Sequence, residues 1–217
     1  MEWKTIPWQE HTKTPKDSLL DILVDTPGLF EDFDVMNSCH DQEERETRRI
    51  GLVEECWRFD KELMKWHATT PLAEGLSKPT PQDNAATVST EVLAAAHLAT
   101  LYWTTCLIVY ATLAAAAGPG AQLPVRVDPK IYCRHIASNV SIFFHPAVGT
   151  FRVHLATFPI AMALISMSSM GPDMMETERK LLSYFELPEG AGIGKFLSNM
   201  KLTEPARQRL IPNRFYT

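Results

Sequence analysis

The chain has 217 residues, 45% of them hydrophobic and 22% charged, with a formal net charge of −5. These are globular values; they exclude an intrinsically disordered chain and leave enough length for a substantial core. The acidic balance argues against direct nucleic-acid binding, which needs a concentrated basic face to meet phosphates.

The N-terminal stretch MEWKTIPWQEHTK has neither an apolar run of signal-peptide length nor the Arg/Ser character of a transit peptide. Trp3 and Trp8 are expected to anchor this arm, residues 1–15, against the rest of the chain. Next comes KDSLLDILVDTPGLFEDFDVM, which alternates apolar patches with acids. Asp17 is placed to cap a short helix with Leu19, Leu20, Leu23 and Val24 inward, and Pro27-Gly28 to break it. Glu31, Asp32 and Asp34 lack the spacing and glycine of a calcium loop and read as a solvated acidic turn at a helix start.

Asp41–His67 is the clearest amphipathic helix. Ile50, Val53, Trp57 and Met64 form one stripe, which Leu52, Cys56, Phe59 and Leu63 widen. Its first turns mix Glu43, Glu44 and Glu46 with Arg45, Arg48 and Arg49, a solvated face. Residues 69–86 turn to Pro, Gly, Ser, Thr and Asn and predict a long flexible loop.

Thr87–Ala117 is a long apolar helix, with Ser89 or Thr90 as its cap and Glu91 near its positive end. From Val92 to Ala117 it carries no formal charge, although a membrane-spanning helix needs only about 20 residues. Ala and Thr outnumber Leu, Ile and Val, His97 lies within it, and no Lys/Arg cluster flanks either end. It is read as the buried centre of a bundle, and no membrane is expected.

Gly118-Pro119-Gly120 stops that helix, and Asp128 with Pro129 opens the next. Its stripe runs Cys133, Ile136, Ala137, Val140 and Phe144, up to the His145-Pro146 break and the corner at Gly149. Phe151–Met170 is a second apolar helix, which Pro159 should kink or split. Gly171-Pro172-Asp173 then starts Met174–Leu187, with Leu181, Leu182 and Phe185 inward. The tail, residues 203–217, holds the only dense basic character. With no strand of period two and no repeat, the reading is all-α: a single-domain helical bundle over residues 1–217, of about six to eight helices around a buried central apolar helix.

No catalytic set, metal site or cofactor motif emerges. Cys39, Cys56, Cys106 and Cys133 form no C-x-x-C pair and read as reduced, buried thiols of an intracellular protein. Cys133 and His135, two apart, point to different helix faces, so they make no nucleophile–base pair. A histidine cluster of His135, His145 and His154 is conceivable, but such residues are commoner as polar rim groups. GAGIGKF follows no strand and ends in Phe196 instead of Ser or Thr, so it is a turn, not a phosphate loop. His97, Trp103, Tyr132 and His135 sit on helices expected to pack together and are the candidate lining of a small-molecule pocket.

Several stretches resemble the C-terminal, all-helical regulatory domain of fungal zinc-binuclear-cluster transcription factors. They are KDSLLDILVDTPGL, CWRFDKELMKW, YWTTCLIVYATL, YCRHIASNVSIFFHPAVGTFRVHLATFPIAMAL and GAGIGKFLSNM, in that family's order over roughly residues 16–200. The family's six-cysteine DNA-binding cluster, basic linker and coiled coil have no counterpart in this sequence. The resemblance therefore implies a non-enzymatic regulatory domain linked to secondary metabolism. Such a domain would act by metabolite sensing or by binding a full-length regulator, without contacting DNA. The alternative is a stand-alone biosynthetic protein, either a cyclase- or isomerase-like enzyme or a chaperone for a reactive intermediate, using a pocket between the central helices. The nucleus is the expected location of a regulator and the cytoplasm that of a biosynthetic protein, and a homo-oligomer is compatible with either.

Overall fold

A computed structural model describes residues 2–70, 88–149, 154–168, 170–187 and 190. All regular structure among them is helical, and the fold is an all-α bundle with a buried apolar helix. The chain divides into two compact units, Met1–Leu72 with Ile108–Asp128 and Ala73–Leu107 with Pro129–Thr217. The expected loop at 69–86 falls, beyond Thr70, outside the described residues, as do the side chain of Trp3 and the tail from 203.

In the first unit, α1 (Pro15–Leu23) starts on Thr14, not Asp17. The Thr14 hydroxyl accepts from the Asp17 N–H at 3.3 Å, and the Asp17 carboxylate takes the Thr14 N–H at 2.9 Å. Each side chain thus satisfies a backbone donor that the helix start leaves over. With that start fixed, Leu19 and Ile22 face inward, while Val24 is the exposed C-cap. Pro27 does not simply break the chain: it occupies the first turn of α2 (Pro27–Ser38), where its missing N–H costs nothing. Leu29 and Met36 hold α2 down, and Glu31, Asp32 and Asp34 lie on its outer face, not in a turn.

Helix α3 (Gln42–Thr69) is capped by Asp41, whose carboxylate accepts from the Glu43 N–H at 3.1 Å. Its buried stripe is Leu52, Cys56, Phe59, Leu63 and Trp66. The Trp66 indole N–H donates to the Pro15 carbonyl at 2.8 Å and ties α3 to the start of α1. Ile50 and Met64, expected inward, are 47% and 44% exposed. The helix carries two apolar stripes; its neighbours bury one and leave the ends of the other, Ile50 and Met64, exposed.

The apolar helix α4 (Thr90–Ala117) passes from the second unit into the first between Leu107 and Ile108. Ser89 caps it, accepting from the Val92 N–H at 3.3 Å. By length and composition α4 could cross a membrane, yet 72% of its most apolar window is buried inside the protein. Thr100, Thr104, Thr105 and Thr112 each donate to the carbonyl four residues back, at 2.7, 2.7, 2.9 and 2.9 Å. Their hydroxyls are satisfied within the helix itself, so they can be buried without outside partners.

In the second unit, α5 (Pro129–Asn139) tightens into a 3-10 turn over Val140–Phe144. The tightening changes the period from 3.6 to 3, so after Val140 the next buried residue is Phe143, not Phe144. Asn139, at the junction, is buried and donates to the Ala96 carbonyl at 2.9 Å and the Thr100 hydroxyl at 2.6 Å. Helix α6 (His154–Met167) runs through Pro159 as one helix and is not split there. After a 3-10 turn at Pro172–Met174, α7 (Met175–Ser183) buries Leu181, and Phe185 is buried in the turn that follows.

Candidate functional site

Two of the four candidate residues stand on α4 and two on α5. Trp103, 8% exposed, stacks on the His135 imidazole with ring centroids 5.0 Å apart and planes 19° from parallel. Tyr132, one turn earlier on α5, meets the same imidazole edge-on at 6.4 Å and 65°. His97 does not join them. Six residues separate it from Trp103, about 9 Å along the helix and about 120° around it, and it packs edge-on against Phe143 at 6.5 Å and 89°. The structure therefore gathers Trp103, Tyr132 and His135 and leaves His97 with another neighbour.

Burial sets the state of the imidazole. Burial lowers the pKa of His135 below its ordinary value, because a protonated ring would lose hydration against the indole face. At neutral pH it is a neutral ring with one N–H donor and one acceptor nitrogen. Among the described residues neither nitrogen has a hydrogen-bond partner, though the ring is half-buried. Tyr132 is half-buried beside it. The result is an aromatic surface with an imidazole able both to donate and to accept.

The remaining sequence candidates do not converge. Among the described residues no three His, Cys, Asp or Glu side chains are grouped to hold a metal ion. The Cys133 sulfur lies 3.9 Å from the Ala163 carbonyl oxygen, in the core. Burial pushes the Cys56 thiol up to about 12, so it stays protonated and unreactive. A surface depression of 470 Å3 is lined by Trp8, Gln9, Glu10, His11, Thr12 and Lys13. Those six are consecutive, so the hollow is the shape of one stretch of arm, not a convergence of elements.

One buried polar centre escaped the sequence reading. Asp60, 4% exposed, accepts from the Tyr110 hydroxyl at 2.9 Å and from the Arg126 guanidinium, whose second contact is 2.9 Å long. The guanidinium also lies 5.8 Å from the centre of the Trp57 ring. A carboxylate removed from water needs such partners, and here it binds α3, α4 and the segment before α5 together within the first unit. The signal was present: Asp60 falls four residues after Cys56 and three before Leu63, at a core position.

The chain matches no protein-family model, no curated protein and no solved structure.

Proposed function

We propose that the chain is a non-enzymatic, transcription-regulator-like helical domain that responds to a small metabolite or a partner and makes no DNA contact through these residues. The observation that supports it most is the His135 imidazole, kept neutral by burial and stacked on Trp103, with no hydrogen-bond partner on either nitrogen among the described residues. A planar, weakly polar metabolite fits that surface: its ring would lie against Tyr132 or His135, and one polar group would meet an imidazole nitrogen. The acidic balance of the chain suits this reading, since a regulator's DNA contacts would be made by another module.

The test is a reporter assay. The chain is fused to a heterologous DNA-binding domain and challenged with planar secondary metabolites in a fungal host. The expected result is reporter output that depends on one metabolite and is lost in His135→Ala. Output indifferent to every metabolite and to co-expressed regulators contradicts the reading. Conversion of the metabolite by the purified chain would replace it with the biosynthetic one.

A further inference from the structure

The second apolar stripe of α3 is regularly spaced and partly exposed. Ile50, Trp57 and Met64 are seven residues apart. Seven residues of α-helix fall about 20° short of two full turns, so the three side chains form one ridge about 21 Å long. Ile50 and Met64 are 47% and 44% exposed, and Trp57 and Val53 are half-buried. Arg126 lies over the Trp57 ring, and its neighbour Val125, 79% exposed, adds apolar surface in the same unit.

Charge decides the occupant. Along α3 Arg48 pairs with Glu44, Arg49 with Glu46, and Arg58 with both Glu55 and Glu62. Glu54 and Lys61 sit on the solvent side of the ridge, and among the described residues neither meets an ion-pair partner. They lie three residues before Trp57 and four after it. A twofold axis through Trp57 therefore sets Glu54 opposite Lys61 of a second copy, to within about 1.5 Å along the axis, and does so twice. The same axis sets Ile50 opposite Met64. A parallel twofold would carry the two copies of that flank to opposite sides of the seam, so Glu54 and Lys61 would not meet across it.

We propose that this ridge is the interface of an antiparallel homodimer, with Trp57 on the twofold axis. The inference stands on the first unit alone and is independent of any ligand at His135. Sedimentation of the full chain over about 1–100 μM tests it, with circular dichroism to confirm that each variant keeps its helices. The wild type is expected to dimerise within that range, and Ile50→Glu to stay monomeric throughout. Glu54→Lys and Lys61→Glu should each weaken association about tenfold, since each turns two attractive contacts repulsive. The double reversal E54K/K61E should restore it. A wild type that is monomeric throughout overturns the proposal, and so does a double reversal as weak as its single parents. A monomer whose tryptophan emission shifts to the blue with an amphipathic helical peptide, the shift being lost in Trp57→Phe, would assign the ridge to a different partner and also overturn it.

Discussion

Replacing Trp103 with Ala removes the indole from a site where it is 8% exposed and stacked on His135 at 5.0 Å. Truncating a buried aromatic to Ala costs about 3–5 kcal/mol. The aromatic contact adds about 0.5–1.5 kcal/mol beyond buried area, so the upper part of that range is expected. Against a total stability of about 5–15 kcal/mol this is a large loss. With a urea slope of about 1–3 kcal/mol per molar, the unfolding midpoint should fall by roughly 2 M. Urea titrations followed by far-UV circular dichroism measure it, on the parent, Trp103→Ala, His135→Ala and the double variant. The coupling of the two single losses should equal the stacking contribution, about 0.5–1.5 kcal/mol. A midpoint unchanged in Trp103→Ala would show that the indole is not part of the packed interior. Zero coupling would show that the stack carries no energy.

Three further outcomes follow from other parts of the molecule. Arg126→Met takes the half-exposed guanidinium from the buried Asp60 carboxylate and should cost about 2–3 kcal/mol, whereas Tyr110→Phe removes its hydrogen bond to that carboxylate and should cost about 1; equal losses in urea titrations would contradict the account of that centre. Gly190→Ala would place its Cβ 1.9 Å from the Tyr184 carbonyl oxygen, a backbone atom that cannot step aside, so a loss of at least about 1–3 kcal/mol and a lower melting temperature are expected. The folded-state pKa of His135 lies below its unfolded value, so the unfolded chain binds the extra proton. Its contribution to stability is therefore complete above about pH 6.5 and is lost as pH falls through the folded pKa. His135→Gln should flatten that part of the stability–pH curve.

Three helix starts agree with the sequence, whereas α1 starts on Thr14 and not on Asp17. Asp41 at the start of α3, Ser89 at α4 and the Asp128-Pro129 entry to α5 all mark helix starts that local chemistry determines. Helix α2 was not legible, because its acids imitate a loop and only Leu29 and Met36, seven apart, hold it to the core. The inner face of α3 could not be chosen from its own pattern. Ile50–Trp57–Met64 and Leu52–Cys56–Phe59–Leu63 are both valid stripes, and the neighbours that cover one of them come from elsewhere in the chain. Phe143 replaced Phe144 for a local reason, the switch to a 3-10 turn, which shifts the register by one residue. At the candidate site, Trp103, Tyr132 and His135 follow from pairing α4 with α5, while His97 is excluded by its rise and rotation along α4. Asp60 went unread because a buried acid declares itself only through its partners, and these are 50 and 66 residues away.

What matters most is whether the neutral His135–Trp103–Tyr132 surface takes a ligand without changing it. Titrating a planar aromatic metabolite into the full chain in a calorimeter, and recovering it for mass spectrometry, asks this directly. The expected result is a saturable heat that disappears in both Tyr132→Ala and His135→Ala, with the metabolite returned intact. A saturable heat that survives both substitutions, or a metabolite returned as a different compound, would contradict it.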